Sequence, residues 1–126
     1  IAQRVIQDWR DALPDKPLIA GVGPVGRPSD PAAATKATIE MATAAAQHGA
    51  NAVLVYPPAW LRANEGRDRL IVEHHARVAE LGLPVILFYL YEAAGGISYD
   101  PNTLNELLSV PNVVGIKMAT LDSVMT

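Results

Sequence analysis

The chain has 126 residues, half of them hydrophobic and 18% charged, a balance that predicts one soluble globular domain with a core of its own. Its formal net charge is −3 and it contains no basic run, which argues against nucleic acid as a partner. It has no cysteine, which excludes disulfides, thiolate chemistry and cysteine-based metal sites and fits the reducing cytoplasm, where we expect the protein to act.

The two ends and the longest apolar stretch add further expectations. That stretch, residues 81–91, is too short to span a bilayer, so we expect no membrane partner. The N-terminus has an amphipathic helical pattern and lacks the charged and apolar regions of a signal peptide. Because the sequence starts inside that pattern without a methionine, we expect residues 1–126 to be part of a single, longer catalytic domain.

Helix and strand signals alternate along the chain in the order α-β-α-β-α-β-α-β-α. The helices show apolar residues at spacings of three and four, with signals at their ends such as a cap at Ser29 or Asp30, Pro31 at the first helical position and Gly49 at the end. The strands are short apolar runs. The predicted elements are a helix over 1–13, a strand over 18–22, a helix over 30–49, a strand over 52–56, a helix over about 65–80, a strand over 85–90, a short helix over about 100–109, a strand over 113–118 and a helix from 121.

Strands that are apolar along their whole length and separated by helices indicate a buried parallel sheet. The strand centres, near residues 20, 54, 87 and 116, are spaced by about thirty residues, which is the length of one unit in a (β/α)8 TIM barrel of about 250 residues. Four such units make half a barrel, and we expect a whole chain of about 250 residues. An open doubly wound sheet of the flavodoxin or Rossmann kind remains the structural alternative.

The segment "LIAGVGPVGRPSD", residues 18–30, contains G-x-G-x-x-G after a strand, a pattern typical of dinucleotide-binding turns. In such a turn the third glycine lies in the first turn of the helix, but here Pro24 and Pro28 delay the helix to Ser29 or beyond. The next strand also ends without the carboxylate that a dinucleotide site needs. We interpret the glycines as residues that let a barrel strand end tightly and its loop turn back over the rim, and a nucleotide-binding domain is the weaker alternative.

The segment "PNVVGIKMAT", residues 111–120, places Lys117 near the end of an apolar strand. Strict alternation puts Val113, Gly115 and Lys117 on one face of that strand. A lysine there lies where barrel enzymes place catalytic groups, and burial would disfavour its charged form and free the amine to attack carbonyls. The alternative is a lysine that extends from the strand end into solvent.

Tyr89 lies near the end of the preceding strand, where alternation groups it with Val85 and Leu87. If the two strands are neighbours, we expect Tyr89 and Lys117 to point into the same barrel mouth, a phenol beside an amine. The alternative for Tyr89 is a core aromatic ring with a solvated hydroxyl.

Several segments, in chain order, resemble the dihydrodipicolinate synthase / N-acetylneuraminate lyase family. They are "PLIAGVG", "GANAVLVYPP", the Glu65-Gly66 pair, "GLPVILFY", "DPNTLNELLSVPNVVGIK" and the "AT" that follows. The resemblance covers nearly the whole chain, from the family's second barrel helix through its sixth strand. It implies a (β/α)8 barrel of which this chain shows strands 3 to 6, and a homo-oligomer, commonly a tetramer.

The same resemblance implies a lyase of the class I aldolase type, without a cofactor. Such enzymes form a Schiff base between a lysine and pyruvate or a related 2-keto acid, and then make or break a carbon–carbon bond or dehydrate a sugar acid. By position the resemblance makes Lys117 the Schiff-base lysine and Tyr89 the tyrosine that moves protons to and from the bound keto acid.

The chain departs from the family pattern at three positions. Ala94 stands where lysine-pathway synthases have an arginine for the second substrate's carboxylate, Ala59 stands where a second tyrosine reaches a neighbouring subunit, and Met118 replaces a frequent glutamate. These departures favour a different aldehyde partner or a sugar acid over dihydrodipicolinate synthesis. The family's threonine pair for the keto-acid carboxylate lies before residue 1. His74 and His75 are adjacent on a helix and do not share a face, which argues against a metal site.

The alternative function is that of a protein with the family's fold but without aldolase activity, in a binding or regulatory role.

Overall fold

A parallel sheet with strand order β1-β2-β3-β4 organises the computed structural model, which describes residues 2–26, 28 and 30–120. The strands are β1 (Ile19–Val22), β2 (Ala52–Val55), β3 (Val85–Leu90) and β4 (Val113–Ala119). The helices are α1 (Ala2–Ala12), α2 (Pro31–Gln47), α3 (Arg67–Ala79) and α4 (Pro101–Ser109), with short 3-10 turns at Ala59–Leu61 and Glu92–Ala94.

The sheet order confirms the predicted alternation of helices and parallel strands. Each strand pairs with the next strand in the chain and the order never reverses, which is the arrangement of a barrel and not of a doubly wound sheet. Predicted and observed ends agree to within about two residues for most elements, which is the usual uncertainty of helix and strand boundaries. The helix predicted from residue 121 lies outside the described residues, as does the alternative cap Ser29.

Two helices begin in the same way, with an aspartate cap followed by proline. The Asp30 carboxylate accepts a hydrogen bond from the backbone N–H of Ala33 at 2.7 Å, and Pro31 is the first helical residue of α2. The Asp100 carboxylate accepts from Thr103 N–H at 2.8 Å before α4. These caps start each helix shortly after a strand has ended and so set how the helix returns across the sheet.

The helices cover one face of the sheet, which we call the helix face; Val22, Val55 and Leu87 belong to it and are fully buried. Small residues of α2, such as Ala42, let the helix approach the strands closely. Within residues 2–26, 28 and 30–120, no helix is long and apolar enough to cross a membrane.

The pairing of β3 with β4 contains a register shift. Val85 pairs with Val113, but the next residue, Ile86, pairs with Gly115, so that Val114 is an extra residue in β4. One extra residue reverses the direction of every later side chain relative to the neighbouring strand. The predicted alternation, which grouped Val113 with Lys117, is therefore wrong. Beyond the shift the pairs are Leu87 with Ile116, Phe88 with Lys117, Tyr89 with Met118 and Leu90 with Ala119.

Candidate active site

Lys117 lies near the carboxyl end of β4 on the face of the sheet opposite the helices. Its strand partner is Phe88, and the Lys117 Nζ atom lies 4.7 Å from the centroid of the Phe88 ring, a distance typical of a cation–π contact. We call this side of the sheet, to which Gly21, Leu54, Phe88 and Lys117 belong, the Lys117 face. The Lys117 side chain is exposed in the described part of the chain, which holds four strands of the barrel, and its burial in the whole barrel stays a prediction.

Tyr89 lies on the helix face and not on the Lys117 face. It pairs with Met118 and packs with the buried core around Leu87, with its ring edge-on to that of Tyr99 at 5.7 Å between centroids. The predicted meeting of Tyr89 and Lys117 on one face is therefore wrong, and the cause is the extra residue Val114. The proton-transfer role implied for Tyr89 is not tested by this geometry and stays a prediction.

A series of rings, which we call the aromatic row, continues from Tyr89 through the helix face. Neighbouring rings meet edge to face, an arrangement that aromatic pairs favour. Four polar atoms in the row are buried and have no hydrogen-bond partner among the residues that the structure describes: Trp60 Nε1, His74 Nε2, His75 Nε2 and Tyr99 OH. The centroid distances are 5.1 Å for Trp60–His74, 5.5 Å for His74–His75, 6.2 Å for His75–Tyr99 and 5.7 Å for Tyr99–Tyr89.

The two histidines of the aromatic row are held neutral by their surroundings. Burial, and then the nearby His75, lowers the pKa of His74 to about 3, and burial lowers the pKa of His75 to about 4. His74 Nδ1 lies 2.8 Å from the Thr35 hydroxyl, and His75 Nδ1 donates to the Ile71 carbonyl at 2.8 Å. Across the described residues, no group of three or more His, Cys, Asp or Glu side chains could hold a metal ion. These histidines serve packing.

Tyr56, which follows β2 directly, explains the glycines of the G-x-G-x-x-G pattern. A Cβ atom added at Gly21 would lie 2.6 Å from Tyr56 Cζ, and one added at Gly23 would lie 2.8 Å from Tyr56 Cδ2. Side chains at these two positions would collide with the ring, which lies flat over β1. Gly26 has a φ of 73°, a left-handed backbone conformation that glycine adopts without strain. The first two glycines thus make room for a tyrosine, and α2 begins only at Pro31, too late for a dinucleotide turn.

Tyr56 belongs to the Lys117 face. Gly21 pairs with Leu54, and the Tyr56 ring occupies the side to which their side chains point. The pairing of Val55 with Leu87 puts Tyr56 level with Phe88, the strand partner of Lys117. Sequence reasoning missed this residue, although an aromatic residue directly after one strand and two glycines closing the neighbouring strand were visible signals.

The loop after β3 carries one of the departures from the family pattern. Ala94 is exposed in the short 3-10 turn, so no cation stands at the position of the family's arginine. Gly96 closes the turn where a Cβ atom would lie 2.8 Å from Leu90 Cβ, and its carbonyl accepts a hydrogen bond from the Arg62 guanidinium. Arg62 therefore ties the loop after β2 to the loop after β3.

A cleft of about 520 Å³ lies elsewhere, between α2, the 3-10 turn at Ala59–Leu61 and α3. Thr35, Trp60 and His74 line it, whereas Lys117 and Tyr56 do not. The cleft belongs to the helical layer. We therefore place the candidate active site on the Lys117 face.

Comparison with known proteins gives a consistent result. The profile of the family described as "Dihydrodipicolinate synthetase family" matches residues 5–126. The chain is 37% identical over 108 residues to the 4-hydroxy-tetrahydrodipicolinate synthase of Stenotrophomonas maltophilia strain K279a. This alignment covers 85% of the chain and 32% of that protein. It is 29% identical over 119 residues to the L-threo-3-deoxy-hexylosonate aldolase of Aspergillus niger, covering 90% of the chain and 33% of that protein.

The fold agrees with solved structures as well. The dihydrodipicolinate synthase of Agrobacterium tumefaciens strain C58 superposes with a TM-score of 0.76 at 24% identity, over 93% of this chain and 36% of that one. The four units described above are therefore part of a TIM barrel of that type. The chain spans about a third of the length of the curated relatives it matches.

Proposed function

Because this chain belongs to the Dihydrodipicolinate synthetase family, we propose that it is part of a lyase that forms a Schiff base between Lys117 and pyruvate or a related 2-keto acid. The observation that carries the proposal is the position of Lys117 at the carboxyl end of a parallel barrel strand, on the face opposite the helices. Active sites of such barrels lie at the carboxyl ends of their strands.

The proposed chemistry begins when the neutral Lys117 amine attacks the keto carbon and a C–N bond forms. The carbonyl oxygen takes up two protons and leaves as water, and a protonated imine remains. That cation withdraws electrons from the adjacent carbon, which loses a proton and becomes the nucleophilic carbon of an enamine. The enamine adds to an aldehyde, whose oxygen takes up a proton, and water then releases the product and the free amine. Cleavage of a larger acid follows the same steps in reverse.

Phe88 has a defined place in this proposal. Its ring already lies against the Lys117 ammonium, and a ring face also attracts a protonated imine. Phe88 has no hydroxyl, so it stabilises the cation and cannot move a proton. The proton-transfer role of Tyr89 stays a prediction that rests on the resemblance alone.

For the second substrate we propose a hydroxylated aldehyde, or its six-carbon condensation product, in place of the lysine-pathway aldehyde. Ala94 and Ala59 leave the positions of the family's carboxylate-binding arginine and relay tyrosine without polar groups. The name of the Aspergillus niger relative shows that a protein similar to this chain acts on a six-carbon deoxy acid. We expect the whole protein to be a cytoplasmic homo-oligomer, a tetramer or a dimer, as the resemblance implies.

A second candidate function is a family member without aldolase activity, in a binding or regulatory role. The observation that favours it is that Phe88, and no tyrosine, is the strand partner of Lys117.

Trapping the imine separates the two functions. In the full-length protein, pyruvate with borohydride should add the reduced ligand's mass to the peptide that contains Lys117, and Lys117→Ala should abolish the adduct. Lys36→Ala, which removes an exposed lysine from α2, is the matched control and should label like the parent. No adduct in the parent protein, or an adduct on Lys36 or Lys16, would refute the Schiff-base proposal.

A further inference from the structure

We infer that Arg62 is a positioning residue: by holding the loop over 91–96, it sets where the distal part of a six-carbon keto acid lies once the acid is bound to Lys117. This inference rests on the proposed function and extends it to the carbon–carbon step. The Arg62 guanidinium donates a hydrogen bond to the carbonyl of Gly96, the last residue of that loop. Arg62 itself belongs to the loop after β2, so one side chain connects two loops at the carboxyl ends of the strands. Barrel enzymes build their active sites from such loops.

The loop over 91–96 begins beside the strand that carries Lys117. The Tyr91 N–H donates to the Ala119 carbonyl at 3.1 Å, which continues the pairing of β3 with β4 past the end of β3. Ala119 lies two residues beyond Lys117, about 7 Å further toward the carboxyl end at the rise of a strand. The loop thus lies directly beyond the amine, at the end of the sheet where barrel enzymes bind their substrates.

Arg62 can fix the position of this loop because both partners are held by further contacts. The Gly96 N–H donates to the Tyr91 carbonyl at 3.2 Å and closes the loop on itself, so the loop moves as one unit. Arg62 follows Leu61, whose side chain is fully buried, and its own N–H donates to the Ala59 carbonyl at 3.1 Å. A hydrogen bond from a charged guanidinium is also stronger than one between neutral groups. The bond between Arg62 and Gly96 therefore ties a closed loop to a fixed point of the core.

The length of the substrate decides which step depends on the loop. Pyruvate ends one carbon beyond the imine carbon and stays at the level of Lys117. A six-carbon acid continues for four carbons and so has a distal part that the loop can hold. Holding that part serves the making or breaking of the carbon–carbon bond, because a small misplacement of reacting groups lowers the rate by up to about a hundredfold. Loss of the Arg62 side chain should therefore affect that step and spare imine formation.

The test measures the two steps separately on the full-length protein. Borohydride trapping with pyruvate gives the extent and the half-saturating concentration of imine formation. Cleavage of 2-keto-3-deoxygluconate and of its carbon-4 epimer, followed as released pyruvate, gives kcat/KM for the carbon–carbon step. Arg62→Ala should lower that kcat/KM about ten- to hundredfold and leave both trapping values unchanged. A purely structural role would instead reduce the amount of active protein, and with it both steps alike.

Three further variants sharpen the test. In Gly96→Ala, Arg62 is kept but the new Cβ atom would lie 2.8 Å from Leu90 Cβ, so the loop is displaced and cleavage alone should decrease. Arg62→Lys keeps a cationic donor and should recover part of the cleavage rate. Arg69→Ala, the matched control, removes an arginine of α3 that pairs with Glu73 on the surface, and it should change neither step.

An equal loss in both steps for Arg62→Ala, or unchanged cleavage, would overturn the inference. A parent protein that traps pyruvate but cleaves neither six-carbon acid would also overturn it and leave the Schiff-base proposal standing. Failure of the parent to trap pyruvate would overturn the proposed function, and this inference with it.

Discussion

The two faces of the sheet use the same residue types for opposite purposes. On the helix face, Tyr89, Tyr99 and two histidines pack edge to face in the buried core, and several of their polar atoms have no hydrogen-bond partner in the described part of the chain. On the Lys117 face, Tyr56 lies over the glycines of β1 and Phe88 lies beside the Lys117 amine. The direction of its side chain thus decides whether an aromatic residue near a strand end packs among the helices or lies on the face that carries Lys117.

The unpartnered atoms of the helix face show what that packing costs. A buried polar atom without a hydrogen bond costs about 1–3 kcal/mol relative to its hydration in the unfolded chain. The Tyr99 hydroxyl is one such atom, and burial raises the pKa of Tyr99 above its ordinary value. The apolar contacts of the row must offset this cost, because the rings fill the space between β3, α3 and the loop before α4.

Exchanging two adjacent residues of β4 should have the largest effect, a complete loss of imine formation. The double variant Lys117→Met, Met118→Lys keeps the composition but moves the amine to the helix face beside Tyr89. We expect no borohydride adduct with pyruvate, measured by peptide mass after trapping. Lys117→Met alone is the control for loss of the amine, and thermal melting checks that both proteins fold. An adduct in the double variant would show that both faces reach the substrate.

Lowering the pH should decrease the free energy of unfolding through the two histidines of the helix face. His75 takes up a proton in the unfolded chain below about 6.5 but in the folded chain only near 4, and His74 only near 3. Above pH 6.5 these histidines are neutral in both the folded and the unfolded chain, so they add no pH dependence to the free energy of unfolding. As the pH falls from 6.5 toward 4, the unfolded state gains protons and the free energy of unfolding decreases, by up to about 1.4 kcal/mol per pKa unit.

Urea unfolding of the parent and of His75→Gln, at pH values from 7.5 to 4, checks this. The variant removes one of the two titrating groups, so its free energy of unfolding should decrease less over the same window. Identical pH dependence in both proteins would mean that His75 is not neutral in the folded state.

The last prediction concerns Tyr89. The resemblance gives it the proton-transfer role, for which Tyr89→Phe should cost about 10²–10⁴ in rate. The strand register puts Tyr89 on the helix face, so this role requires its hydroxyl to reach the imine around the strand end, and a loss below about tenfold would refute it. Deuterium exchange into the methyl group of pyruvate, followed by NMR, measures that step without a second substrate. A loss of 100-fold or more would establish Tyr89 as the proton carrier and show that its hydroxyl reaches the imine around the strand end.

Local patterns predicted the elements well because local interactions fix them. Asp30 with Pro31, and Asp100 with Pro101, start helices through bonds within a few residues, and the apolar runs at 85–90 and 113–118 form strands wherever a sheet can receive them. The position of Lys117 at a strand end follows from the same patterns. The reason for Gly21 and Gly23 does not follow from local patterns, because the Tyr56 ring that needs their space follows another strand, more than thirty residues along the chain.

The sequence by itself determined the parallel αβ order and the presence of an amine and a phenol near neighbouring strand ends. Only the tertiary structure decided which phenol shares a face with the amine. Side chains do alternate along β3, but which face of the sheet a residue of β4 shares with a residue of β3 depends on how the two strands pair. The extra residue Val114 reverses that relation. Such a bulge is set by packing between strands and helices and leaves no mark in the period-two pattern of either strand.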